Sequence, residues 1–197
     1  MEHSNSSSVS EDVTILRPHN TIRNLYGPRT ALVIAHEHCL RIPDDLKTFT
    51  EGEHGVNVRY TKKLPLKNTN HPPIDAIVMV YKIGDKDSFN TIKQSLPLVD
   101  IKYLLSQCFI LVVSDGDVFG GDLKEIENFS RLYHLPFHCA YRRKDPEGKG
   151  LQRLQIPSNL MSIYCPPAGS DVNPFVIAAN LVRNEQAMAS ASQNITD

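Results

Sequence analysis

Four short apolar runs recur along the chain, at Thr30 to Ala35, Asp75 to Tyr81, Cys108 to Ser114 and Pro136 to Tyr141. Each is nearly continuous instead of alternating, the pattern of strands buried on both faces and hence of a parallel sheet covered by helices. A weaker run at Asn57 to Tyr60, just before Leu64-Pro65-Leu66, predicts an edge strand. Between these runs the apolar spacing changes to three or four. Asp87 is a candidate N-cap, followed by Phe89, Ile92, Leu96 and Val99 along one face, with Pro97 placed to kink or end the helix. Asp122 caps a second helix, Asp122 to Tyr133, on which Leu123, Ile126, Phe129 and Leu132 form an inward stripe. Strands alternating with helices through short loops imply right-handed βαβ crossovers. The expected fold class is therefore α/β, a doubly wound three-layer sandwich with a mainly parallel sheet.

A third helix is expected near the C-terminus, opening at Asn173-Pro174 with proline at the first helical position. Phe175, Val176, Ile177, Ala178, Ala179, Leu181 and Val182 make it apolar around much of its circumference. One face should cover the sheet. The surplus suits either a partner or full burial.

Length and composition narrow the picture. The chain has 197 residues, enough for one ordinary core without disulfides or metals. Residues 1–13 are rich in serine and acids and read as a tail, 14–183 as the domain, and 184–197 as a second polar tail. A net charge of −1 supplies no global field that would recruit nucleic acid or an anionic membrane. Cys39, Cys108, Cys139 and Cys165 are scattered, with no Cys-x-x-Cys pair, which points to a reducing compartment. The longest apolar run, Cys108 to Val113, is far short of the roughly 20 residues that a membrane span needs.

In doubly wound sheets ligands sit at the carboxyl ends of strands. The loop after the first run is His36-Glu37-His38-Cys39-Leu40-Arg41-Ile42-Pro43. A phosphate loop needs glycines for close backbone approach, a lysine for the outer phosphates and a hydroxyl for Mg²⁺. None stands at the required spacing, Glu37 would repel a phosphate, and Lys47-Thr48 lies too far downstream. The Asn-Lys-x-Asp element that reads guanine in small GTPases is matched after Val113 only by Asp117, within Ser114-Asp115-Gly116-Asp117. No Asp-x-x-Gly lies between the first and third strong runs to sense a γ-phosphate. Nucleotide-binding motifs are thus absent, and no cofactor, catalytic residue or enzymatic activity is expected.

Other constellations are weaker. His36, His38 and Cys39 could be imagined on zinc, but no fourth ligand has a paired spacing with them, so no metal is expected. Cys39 or Cys139 beside a histidine does not by itself place a base within reach of a nucleophile. Asp115, Asp117 and Asp122 around Gly120-Gly121 fail the calcium-loop pattern and read as a turn leading to a helix cap. Arg142-Arg143-Lys144 is a basic patch with Asp145 and Glu147 behind it, a solvated loop or a local nucleic-acid contact.

The stretch Pro73-Ile74-Asp75-Ala76-Ile77-Val78-Met79-Val80, preceded by Leu64-Pro65-Leu66 and followed by Ser88, Ser95-Leu96 and Val99-Asp100, resembles the central segment of the centromere protein M family. Leu16-Arg17-Pro18 and Asn180-Leu181 fall in the same order as that family's motifs, so the likeness runs from about Thr14 to Val182. The resemblance implies a small-GTPase-like fold that neither binds nor hydrolyses nucleotide. It implies a nuclear scaffold of the inner kinetochore, in the constitutive centromere-associated network, that serves kinetochore assembly and chromosome segregation in mitosis. Centromere protein I, a helical-repeat protein, is the implied direct partner, with centromere proteins H and K in the same complex and this chain a monomer within it. No direct nucleic-acid or membrane contact is implied. By position the partner surface falls at Tyr103, Leu104 and Leu105 and at Ala179 and Leu181. Three features depart from the family pattern: the serine-rich start, the charged loop from Arg142 to Gly150, and Pro157. The alternative is a divergent small GTPase or other α/β enzyme with an atypical phosphate site, which would rely on Ser114 and Lys47.

Overall fold

A computed structural model of the chain describes residues 15–18, 29–50, 56–67, 71–116, 120–142, 154–157 and 160–165. Five strands, β1 (Thr30–Ala35), β2 (Asn57–Thr61), β3 (Ala76–Lys82), β4 (Cys108–Ser114) and β5 (Phe137–Tyr141), form one sheet in the order β2-β1-β3-β4-β5. Every neighbouring pair is parallel. The helices are α1 (Asp44–Thr50), α2 (Lys86–Ser95), α3 (Ile101–Ser106), α4 (Gly120–Tyr133) and α5 (Leu160–Tyr164). The order is one of the two common doubly wound arrangements, and its topological switch point lies between β1 and β3. The α/β, small-GTPase-like reading of the sequence therefore stands.

The continuous apolar runs are explained by a two-sided core, because side chains alternate along a strand. Leu32, Ile34, Ile77, Met79, Ile110 and Val112 meet α2, α3 and α4 on one face, where Phe89, Ile92, Leu96, Val99, Tyr103, Ile126 and Phe129 cover them. Ala31, Val33, Ala35, Ala76, Val78, Val80, Leu111 and Val113 occupy the other face. The many small residues there leave room for Phe49 of α1, Phe109, and Tyr164 of α5. Leu16 also joins the first face and bridges to Val99, so the chain's first described segment docks beside α3.

Strand limits deviate from expectation by at most a residue at either end. The weak run is an edge strand, as its partly exposed residues require. Helix starts differ more. Asp85, not Asp87, caps α2, its carboxylate accepting from the Asp87 backbone N–H at 3.0 Å. Pro97 converts the chain to a 3-10 turn over Leu96–Leu98. Helix α4 opens at Gly120, ahead of Asp122, and Leu132 is 71% exposed, so it leaves the inward stripe that Leu123, Ile126 and Phe129 keep. The expected helix from Asn173 and the loop from Arg143 to Gly150 lie outside the described residues. Among the described residues no helix is long and apolar enough to cross a membrane.

Candidate functional site

Two regions carry unusual chemistry. The first is the crevice at the carboxyl ends of β1, β3 and β4, where a fold of this class receives its ligands. Arg142, directly after β5, turns its guanidinium into this crevice, with its side chain and that of Asp45 each 2% exposed. It donates to Asp45 and Asp115, and reaches the carbonyl oxygen of Cys39 at 3.5 Å. Lys82 Nζ, at the end of β3, lies 2.8 Å from the other oxygen of Asp115. Burial alone would raise the Asp115 pKa, but hydrogen bonds from Lys82 and Arg142 outweigh it and hold the carboxyl below its usual range. Burial likewise works against the charge of Arg142. Asp45 and Asp115 outweigh it, and its pKa is raised. Asp45 also accepts the Arg41 backbone N–H at 2.6 Å, so α1 is pinned to the loop before it.

Beside this ion cluster, the loop after β1 meets the start of α2. His36, Cys39 and Asp85 bring one ligand atom each within 4.8 Å of one another. The Cys39 thiol donates to Asp85 Oδ2 at 3.6 Å, and burial, then the Asp85 charge, push its pKa up to about 12. His36 Nδ1 is shielded from solvent without a hydrogen-bond partner, 3.9 Å from the same oxygen. Glu37 pairs with Lys62 at the rim. His38, on a backbone at φ 69°, is not part of this group, so the trio of His36, His38 and Cys39, whose spacing gives no reason to expect a metal site, does not form, and Asp85 joins His36 and Cys39 from another element.

The second region is an apolar face on α3 and α4. A groove of about 430 Å³ is lined by Lys93, Leu96, Pro97, Val99, Ile101, Leu104, Phe129 and Tyr133. Around it Ile101 is 64%, Leu105 78% and Tyr133 46% exposed. The residues singled out from the sequence divide here. Leu105 is on the surface and Leu104 partly buried against the core, but Tyr103 is fully buried and donates to the Ile74 carbonyl oxygen at 2.9 Å. Tyr103 is a core residue and drops out of the expected contact surface. Ala179 and Leu181 lie outside the described residues.

Other expectations change with Arg142. Its burial removes it from the basic patch, of which Arg143 and Lys144 lie outside the described residues. Lys47 is exposed and faces Asp44 at 3.6 Å, and the Ser114 hydroxyl is engaged by Gly116 in its own turn, so neither is poised over a phosphate. Nothing in the sequence alone marks Asp45 and Asp85 for site chemistry. An Asp-Asp pair after Pro43 and an Asp-x-Asp-Ser at a helix start were the only local signals, and both are ordinary helix-start patterns.

No curated protein matches the chain. The family model for centromere protein M (CENP-M) matches residues 13–165, which include all five strands of the sheet and the apolar face of α3 and α4. A match over most of the chain, on a parallel sheet of the expected class, identifies the chain as a member of the centromere protein M family, a family of centromere and kinetochore proteins.

Proposed function

We propose that the chain is a non-catalytic pseudo-GTPase scaffold of the inner kinetochore, stabilising a helical-repeat partner for kinetochore assembly and chromosome segregation. The observation that carries this reading is the apolar face of α3 and α4 that the described residues leave exposed, with Leu105 at 78% exposure beside a groove of about 430 Å³. Apolar area of this kind on a soluble α/β domain is costly unless a partner covers it. The partner class follows from the family: centromere protein I as the direct contact, with centromere proteins H and K in one complex at the nuclear centromere. Helix–helix burial would involve Leu104 and Leu105 here, and Ala179 and Leu181 on the C-terminal segment.

The non-catalytic part of the reading is supported by the crevice. A nucleotide needs cationic and backbone donors directed outward, whereas Arg142 and Lys82 are taken up by Asp45 and Asp115. The test is co-expression with centromere protein I. Wild type should co-purify with it, and Leu105→Asp should lose most of the complex while remaining folded. Retention of the complex by a folded Leu105→Asp protein would place the contact elsewhere.

A further inference from the structure

We propose that His36, Cys39 and Asp85 form a site for a zinc-class divalent cation that ties the loop after β1 to the start of α2. One ligand atom from each of the three residues already lies within 4.8 Å of the others, with Asp85 Oδ2 facing both Cys39 Sγ and His36 Nδ1. A tetrahedral zinc with ordinary bond lengths holds a sulfur and a carboxylate oxygen about 3.6 Å apart, and a nitrogen and an oxygen about 3.4 Å apart. The corresponding separations here are 3.6 Å for Cys39 to Asp85 and 3.9 Å for His36 to Asp85. The third pair, His36 and Cys39, lies within 4.8 Å, against about 3.6 Å for a tetrahedral nitrogen and sulfur, so an inward movement of the partly exposed His36 ring is what closes the set.

The local structure prepares these atoms. The turn after β1 is closed by the Cys39 backbone N–H on the His36 carbonyl at 3.3 Å, with His38 in the left-handed region at φ 69°. That conformation is uncommon for a residue other than glycine, and such outliers gather at binding sites. It sets the side chains of His36 and Cys39 toward Asp85. Asp85 can bind without giving up its structural role, because Oδ1 caps α2 while Oδ2 faces the other two ligands. His36 Nδ1 is a buried polar atom without a hydrogen-bond partner, which is costly unless something occupies its lone pair.

Charge and ligand type select the cation. Binding replaces the Cys39 thiol proton, and the resulting thiolate and the Asp85 carboxylate together balance a divalent charge. Lys82, whose charge acts on Cys39, and Arg142, which reaches the Cys39 carbonyl oxygen, are already neutralised by Asp115 and Asp45. Thiolate and imidazole favour zinc and its borderline-soft neighbours over Mg²⁺ or Ca²⁺. Three protein ligands leave one position for water on the exposed side of His36. The site lies at the switch point between β1 and β3, the place where doubly wound sheets hold ligands.

Cobalt titration of the full-length chain under a phosphine reductant tests this. Wild type should take up one equivalent with a thiolate-to-cobalt charge-transfer band and intense tetrahedral ligand-field bands, displaced by zinc but not by excess Mg²⁺. Cys39→Ala should abolish the charge-transfer band. Asp85→Asn, which keeps a capping oxygen, and His36→Gln should each weaken cobalt more than the roughly 10–100-fold that loss of an outer-shell partner costs. Zinc should raise the melting temperature of wild type and not of Asp85→Asn. No thiolate band in wild type, the same band in Cys39→Ala, displacement by Mg²⁺, or unaltered cobalt affinity in Asp85→Asn would each overturn the assignment. If Cys39→Ala does not fold, the Asp85→Asn affinity decides.

Discussion

The hydroxyl of Tyr103 donates to the carbonyl oxygen of Ile74 at 2.9 Å, fastening α3 to the chain just ahead of β3. Tyr103 is fully buried, while Leu105, two residues on, is 78% exposed. On a helix that advances about 100° per residue, an inward Tyr103 forces Leu105 outward. The two residues should therefore separate stability from binding. Tyr103→Phe should cost about 1 kcal/mol of unfolding free energy, the usual net value of a buried hydrogen bond, and leave partner capture intact once folded. Leu105→Asp should stay within about 0.5 kcal/mol of wild type in denaturant melts. It should weaken the complex with centromere protein I by about 2 kcal/mol or more, as loss of an anchor side chain does. An equal loss of stability in both variants would contradict the division.

The buried pair between Arg142 and Asp45 makes a second prediction. Removing one partner of a buried ion pair leaves the other charge uncompensated, at about 3–5 kcal/mol. Arg142→Met should therefore be strongly destabilising, because Asp45 loses its guanidinium partner and keeps the neutral Arg41 N–H that holds it at 2.6 Å. Asp45→Asn retains that acceptor, so the double variant should recover more than half of the loss. A thermodynamic cycle by urea denaturation reads the coupling directly, and simple additivity would show that the pair is structurally idle.

How far the sequence carried these conclusions depends on the kind of contact. The sheet was legible because strands buried on both faces leave continuous runs, and β1 and β4 have the limits their composition predicts. Helix α3 was not, since six residues are too few for a periodic stripe, and the three consecutive side chains Tyr103, Leu104 and Leu105 looked alike before the helix turned them to different directions. Helix α1 hid for a related reason: Asp44–Thr50 buries Phe49 and a carboxylate, Asp45, in place of an apolar stripe. The crevice was the least legible. Arg142 is 97 residues from Asp45, and Cys39 is 46 from Asp85, and no local pattern announces a pairing over such separations.

His138 sets a pH dependence. Its ring lies edge-on to Phe109 and hydrogen-bonds the Tyr164 hydroxyl at 2.9 Å, and burial pushes its pKa down to about 4 from the ordinary 6.5. Below pH 6.5 the unfolded chain takes up this proton before the folded chain does, so the unfolded state binds more protons and stability falls with falling pH. The loss should begin near pH 6.5, grow to about 3 kcal/mol by pH 4, and be absent above pH 7. His138→Gln, which keeps a hydrogen-bonding side chain but does not titrate, should flatten that part of the profile in thermal melts. A profile unchanged by the substitution would assign the acid sensitivity to other groups.

Opening the crevice should not create a nucleotide site. Arg142 is the group that fills it, so Arg142→Ala enlarges the space between Asp45 and Asp115. The same change removes a positive charge from a crevice bordered by Glu37, Asp45, Asp85 and Asp115, which makes it more hostile to a triphosphate. The loop from His36 to Pro43 still has no glycine whose backbone could close on an anion. A fluorescent GTP analogue should thus show no saturable binding to wild type, to Arg142→Ala or to Arg142→Ala combined with Glu37→Ala. Binding by wild type would sink the pseudo-GTPase reading outright. Binding only after Arg142 is removed would mean that the arginine, and not the loop after β1, is what keeps nucleotide out.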